Sequence, residues 1–545
     1  MALTVGFTFS LRCLAQTQIV HSVPAVRHDK SKALTKMSRK RPAPEVQTSV
    51  IEHRVRPLPV HIISRGPNAI PEPSVPTSSG PLPAIELSSF QGVGRGLGYI
   101  TRSSPPDTNG SVGLDEYIQW VNNAYGIFDK KAGKLKPIMD PGTGHTETEI
   151  LEGNQIWQGF GGKCEVSNDG DPVVIYDKIA SRWVMSQFAY SKPSSGPPYA
   201  ECVAVSSSSD PAGEYARYEF DFNNFNDYPK LGVWPNGYYI TFNMFEDETK
   251  GSDFLGAKVC AFERSKMLEN QPANMQCANL YNPSYGGVLP ADFDGSKSSM
   301  PPENSPEYFV AVDADKLYLW KFSVNWDDLS KSYFDYKPQE IAVPHFDYPC
   351  VEGDRTLSCV SQPNSSSQKL DALGDRLMFR LPYRNFGDHE VLLMNHTIKA
   401  GDGTGIRWYE LSGLSGTPSM VQEGTYAPQD GLFRWIGSIA MDKNENILLE
   451  YNVSGNSVFP SVRYTGRKKD DPVGVMRDEQ LLMAGQGSQV STASDYITDR
   501  WGDYSSVSLD PADDCTFWFT SQYQETTDTY RWNTVISSVR FPDCH

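Results

Sequence analysis

The chain has 545 residues with a net charge of −17, and 39% of its residues are hydrophobic and 12% aromatic, which excludes a disordered chain and supplies a large core. The charge is unevenly placed. Residues 1–85 hold 11 Lys and Arg against 4 Asp and Glu, and the remainder holds 38 against 62. So acidic a body would repel nucleic-acid phosphates and anionic lipid, so neither is expected as a partner. With no run of 18 apolar residues, no membrane-spanning helix is expected.

The first 20 residues begin MALTVGFTFSLRCLAQ, a moderately apolar stretch ending in a small-x-small triplet. They read as a secretory signal, with a transit peptide as the competing reading because Arg12 interrupts the apolar run. Residues 21–87 are rich in Pro, Ser, Lys and Arg and have no hydrophobic period, so a disordered propeptide or linker is expected. Arg39-Lys40-Arg41 resembles a processing site, although Pro42 follows it.

From residue 88 the texture changes to short β-branched and aromatic runs between Gly, Pro, Asn and Asp turns. Examples are DPVVIYD, RWVMSQFAY, GYYITFNMF, KLYLWKF, EVLLMNHTI and CTFWFTSQY. Residues 263–270 read as a short helix. FRWIGSIAMDKNENILLEYNVS (433–454) and DRWGDYSSVSLDPADDCTFWFTSQ (499–522) share one plan: Arg-Trp, a strand, Asp, a turn and a stronger strand. Their tryptophans, Trp435 and Trp501, are 66 residues apart. Looser copies begin near 111, 170, 226, 307 and 370. A period near 65 is too long for a 40-residue repeat and fits a four-stranded blade with long loops. The expected fold is therefore all-β: a single β-propeller of about seven four-stranded blades over 88–545. A strand from about 88–102 would close the ring beside the last blade. The rival, a pair of sandwiches, does not explain the repeated spacing.

Of nine cysteines, Cys13 lies in the leader. The other eight point to disulfides, and sequence neighbours would pair 164–202, 260–277, 350–359 and 515–544. The sequons at Asn109, Asn364, Asn395 and Asn452 fit an exported glycoprotein.

DPVVIYDKIASRWVMSQFA (171–189), DYPKLGVWPNGYYITFNMF (227–245), DRLMFRLPYRNFGDHEVLLMNHT (375–397), GIRWYEL (405–411) and RWGDYSSVSLDPADDCTFWFTSQY (500–523) resemble a family of secreted bacterial-type β-propellers. The resemblance spans roughly 110–544. It implies secretion and a propeller, and no settled activity. No S-x-D-x-G-x-x-W series of the sialidase kind is present.

In a propeller, the loops entering the innermost strands and those joining the second and third strands share one face. Entry loops supply Asp227, Tyr228, Asp371, Arg434, Trp435, Arg500, Trp501, Asp503 and Tyr504. The 384–390 loop, assigned to the second–third position, supplies Arg384, Asn385 and His389. Aromatic groups stack on sugars while Arg and acids bind hydroxyls or carboxylates. His389, Tyr228, Asp227 and Asp503 are the catalytic candidates, and Arg384, Asn385, Arg434, Trp435, Arg500, Trp501 and Tyr504 the substrate-binding ones. The plainer alternatives are a surface-loop histidine, acids that bond turn amides, and an Arg-Trp repeat that is structural. His396 reads as a packed strand residue. His145, Glu147 and Glu149 form a weak metal candidate, and the acidic turn Asp510, Asp513 and Asp514 could take Ca²⁺; no cofactor is expected with certainty. GQGSQ (485–489) and GFGG (159–162) lack the setting of a phosphate loop. The expected function is a secreted, monomeric propeller acting on an extracellular polysaccharide as a hydrolase or lyase. The alternative is a lectin-like or adhesive module for a glycan or protein ligand.

Overall fold

The computed structural model describes residues 19–39, 51–52, 58–61, 70, 78–99, 103–249, 251–352, 355–356, 358–490, 499–528 and 531–545. The signal-peptide reading, Cys13 and the Lys40-Arg41 pair fall wholly or mostly outside them. No helix among the described residues is long and apolar enough to cross a membrane.

The described chain is nearly all β and folds as consecutive antiparallel meanders, the fourth and fifth of which are joined into one nine-stranded sheet by parallel pairing of Ala291–Phe293 with Leu381–Tyr383. The first sheet comprises Thr108–Val112, Glu116–Val121, Ala124–Asp129 and Leu151–Glu152. The second comprises Val173–Asp177, Arg182–Ala189, Tyr199–Ser206 and Tyr215–Phe222. The third comprises Phe225–Trp234, Gly237–Phe245, Phe254–Phe262 and Asn274–Leu280. The fourth comprises Leu289–Phe293, Glu307–Asp313, Lys316–Ser323 and Gln339–Ala342. The fifth comprises Leu381–Asn385, Glu390–Ala400, Gly403–Ser412 and Ser419–Tyr426. The sixth comprises Phe433–Met441, Ile447–Gly455, Val458–Arg467 and Gln480–Met483. In the last sheet Ser506–Leu509, Phe517–Tyr523 and Asn533–Arg540 take their fourth strand from far upstream: Ile85–Gln91 pairs antiparallel with Asn533–Arg540.

First strands of successive sheets lie against one another, and the first strand of the last sheet also touches that of the first. Where first strands do not pair with each other, as those of the fourth and fifth sheets do, a first strand has a free edge whose N–H groups need partners away from water. Polar side chains of the adjoining sheet supply some of them. Val174 and Tyr176 N–H donate to Asn109 Oδ1 and Ser111 Oγ at 2.7 and 3.1 Å. Val233 N–H donates to Asp292 Oδ1 at 3.0 Å, Val507 N–H to Ser438 Oγ at 3.0 Å, and Val112 N–H to Ser508 Oγ at 3.3 Å. Arg380 spans the interior: it donates to Asp292 at 2.6 Å and to the Val507 carbonyl at 2.7 Å, and pairs with Asp294 at 2.9 Å. Burial alone would raise the Asp294 carboxyl, but Arg380 and Lys178 outweigh it and hold it down at about 2.

Between the sheets the core is aromatic. Trp234 meets Tyr383 edge-on at 4.6 Å, and Phe220 packs on Phe262 at 4.8 Å. Four cysteine pairs lie at disulfide distance: Cys164–Cys202, Cys260–Cys277, Cys350–Cys359 and Cys515–Cys544. These are the sequence-neighbour pairings. The expected helix is present as Arg264–Leu268.

The expectation of a disordered run from residue 21 is corrected over 21–37. His21–Pro24 adds a strand to the outer edge of the third sheet, and Arg27–Lys30 adds one to the second. Arg217 clamps Asp29 with two bonds of 2.7 and 2.6 Å, and Leu34 and Met37 are buried. The segment has no period of its own because exposed sheet edges supply its backbone partners.

Cys515–Cys544 ties the chain end to the last sheet across 29 residues. Replacing both cysteines with serine should lower unfolding free energy by about 3 kcal/mol in denaturant titration. An unchanged midpoint would contradict a constraining role for this link.

Candidate functional site

Just before or within the first strands, the chain turns through left-handed backbone at Asp107 (φ 48°), Asp171 (45°), Tyr228 (55°), Gly287 (59°), Ile436 (50°) and Asp503 (62°). Aspartate tolerates this region, whereas Tyr228 and Ile436 are strained there. These turns bring several titratable groups together at one end of the interior.

Lys230 is the centre of the group and has no exposed surface. Its ammonium lies 3.5 Å from the Tyr228 ring centroid and 4.0 Å from that of Tyr504, and donates to the Pro229 carbonyl at 2.8 Å. Burial lowers its pKa to about 8, against the attraction of Asp171 and Asp107. The Arg376 guanidinium lies 4.6 Å from the centroid of the same Tyr228 ring and donates to Asp375 at 2.7 and 3.1 Å. Arg500 pairs with Asp503. Asp171 accepts the Tyr228 N–H at 3.2 Å. Asp107 faces Asp171 within hydrogen-bonding reach, and burial followed by that like charge raises the Asp107 pKa well above the ordinary range. Burial also raises Asp371 to about 6. Asp171, Tyr228, Asp375 and Arg500 reach the surface only as slivers of 7–8%. The segment 58–61 lies at this end, with Leu58 N–H donating to Asp375 at 2.8 Å.

The cluster therefore gathers Tyr228, Arg500, Asp503 and Tyr504 from the sequence candidates, with Asp227 half-buried beside them and Asp371 nearby. Tyr228 cannot serve as a base near neutral pH, since burial above all pushes its phenol upward and keeps it protonated.

The 384–390 reading is corrected. This loop joins the first and second strands of its sheet, at the opposite end of the first strand from Asp371 and Arg500. Leu377 and Met378 are buried ahead of the first strand, which begins only at Leu381. Arg384 clamps Asp514 at 2.9 and 2.5 Å, Asn385 donates to the Met300 carbonyl at 2.6 Å, and His389 stacks on Phe386 and meets Asp388 at 2.7 Å. These contacts knit turns together.

Arg434 is clamped by Asp430 and Glu479, at 2.6 and 2.9 Å, and Trp435 packs on Trp501 at 6.2 Å with both fully buried. The repeated Arg-Trp pair is thus a packing device. Asp510, Asp513 and Asp514 are engaged by Lys130, by turn amides and by Arg384, which counters the Ca²⁺ reading there. Asp140, Glu147 and Glu149 cluster without His145, and Arg39 lies 3.4 Å from Glu149. Asn109, Asn395 and Asn452 are at most 1% exposed, so a bulky glycan cannot be accommodated on them; Asn364 is exposed. His396 is buried against Phe346 and Tyr409, as expected of a packed residue.

Sequence reasoning missed Lys230, Asp107, Asp171, Asp375 and Arg376. Two signals were available: a lysine inside the apolar run YPKLGVW, and an Asp preceding the first strand in several copies.

No protein-family model matches the chain, and no curated protein matches it. Among solved structures it is similar to the N-terminal domain of Nup159, at 8% identity and TM-score 0.34, over 87% of this chain and 99% of that one. It is also similar to the α-L-arabinofuranosidase PaAbf62A from Podospora anserina in complex with cellotriose, at 12% identity and TM-score 0.24, over 58% and 91%. A structure described as a glycoside hydrolase overlaps at 11% identity and TM-score 0.28, over 59% and 91%. Likenesses this low bear on neither chemistry nor substrate.

A folded-state pKa of about 8 for Lys230 has a consequence for stability. Above pH 8 and below 10.5 the unfolded chain holds more of this proton than the folded one, so the lysine's contribution rises with pH across that window. The difference in unfolding free energy between wild type and Lys230→Met should move by about 2 kcal/mol in favour of the wild type from pH 7.5 to 9.5. A pH-independent difference would contradict the buried-lysine reading.

Proposed function

We propose that this chain is a secreted seven-bladed β-propeller, closed by Ile85–Gln91, that cleaves an extracellular uronate-bearing polysaccharide by elimination at the Lys230 end of its interior. The succession of meanders, counted as seven blades with the fourth and fifth sharing one nine-stranded sheet, the contact between first and last, and the upstream strand on Asn533–Arg540 support the architecture. The disulfides fit an oxidising compartment.

The chemistry is carried by one observation: a lysine with a pKa of about 8 between two protonated tyrosines, with Arg376 and Arg500 beside it. A base near neutral pKa suits proton abstraction α to a carboxylate. The neutral amine takes the C5 proton, the electron pair forms the C4–C5 double bond, and the C4–O bond breaks. The departing oxygen takes its proton from Tyr228. The Arg376 guanidinium offsets the carboxylate and the charge that builds on it. Hydrolysis fits less well. Its carboxyl pair stands about 5–9.5 Å apart, whereas Asp107 and Asp171 are within hydrogen-bonding reach.

A second reading, a non-catalytic glycan-binding propeller, is favoured by the complete burial of Lys230. A panel of uronate polysaccharides followed by the absorbance of unsaturated products separates the two. The elimination reading expects turnover that falls about 100-fold or more in Lys230→Met and in Tyr228→Phe, both folded by thermal melting. Release of reducing ends without unsaturation, or no turnover on any substrate, would overturn it.

A further inference from the structure

A cavity of about 660 Å³ opens beside the segment 345–351. Its size is that of a small-molecule site. Phe346, Tyr348 and Phe433 supply aromatic lining, and the Cys350–Cys359 link forms part of the wall. The turn Lys399–Gly403 and the residue Ala314 place it beside the loops joining the second and third strands of the fourth and fifth sheets, the end where Asp371 and Asp375 also lie.

Four basic side chains line it: Lys369, Lys399, His61 and His345. The histidines are engaged, His61 with Asp313 at 3.1 Å and His345 with Asp347 at 3.4 Å. Neither lysine ammonium has an ion pair or hydrogen bond among the described residues, and both are exposed. Two acids share the lining, Asp347 and Asp402, and both point substantially to solvent. In a chain of net charge −17, two ammonium groups without an ion pair thus stand at an aromatic-lined hollow, with Asp347 and Asp402 as the acids of the same lining. An ammonium supplies a point charge for an anion, and aromatic faces cover the apolar side of a sugar ring.

We propose that this cavity is a binding subsite for an anionic saccharide, with Lys369 and Lys399 meeting its carboxylate or sulfate and Tyr348 and Phe433 its ring. The subsite stands on binding alone and does not require turnover at Lys230.

Calorimetry on the full chain with three probes tests it: trigalacturonate, its uncharged methyl ester, and a sulfated disaccharide. At least one charged probe should bind, more weakly as salt rises, and binding should fall tenfold or more in Lys369→Ala/Lys399→Ala. Lys230→Met should bind as wild type does, which separates this site from the proposed catalytic one. Binding of trigalacturonate identifies a carboxylate subsite, and of the disaccharide alone a sulfate subsite. Both lysines are exposed, so the double variant should keep its thermal midpoint. Equal affinity for the methyl ester, unchanged binding in the double variant, or no binding of any probe would overturn the proposal.

Discussion

Everything in this molecule depends on how the inner edges of its sheets are satisfied. A first strand that faces another sheet has N–H groups that neither water nor its own meander can pair. Asn109, Ser111, Asp292, Ser438 and Ser508 meet five of these groups across sheet boundaries. The interior strands must therefore carry polar residues where an ordinary core would carry aliphatic ones. Each such residue also fixes the offset between neighbouring sheets, since its partner is a single backbone atom.

A polar interior admits charge, and charge then needs partners. Arg380 satisfies Asp292, Asp294 and a carbonyl of the last sheet at once. Removing one member would strand the others in a poorly solvated place. The same physics acts at the Lys230 end with a different outcome. There burial and the nearby charge of Asp171 push Asp107 upward, the lysine contacts rings and a carbonyl, and its proton is held loosely. One end of the interior is thus locked by strong pairs, and the other is poised to titrate near neutral pH.

Much of this was legible from the residues. Period-two aromatic runs marked the strands, and neighbouring cysteines paired, Cys260 and Cys277 directly across two antiparallel strands. The upstream strand was expected at 88–102 and lies at Ile85–Gln91, a small offset because IELSSFQ alternates only weakly. The Arg-Trp repeat was legible as a repeat, but its charge is spent on Asp430 and Glu479 or on Asp503, which no spacing reveals. His389 looked chemical because it sits among Asp, Glu and Arg. Its placement failed by one strand, since a buried apolar run can pass for a strand when it is only packed. Lys230 was overlooked for the opposite reason: inside a strand of aromatics a lysine reads as an interruption, and only burial turns it into a weak acid.

The central claim is that Lys230 gives up its proton near pH 8 in the folded chain. A titration of lysine methylene signals by NMR, with the Lys230 resonance assigned by its loss in Lys230→Met, tests this directly. The account predicts one lysine with a midpoint near 8. A midpoint near 10.5, as for the exposed lysines, would contradict it.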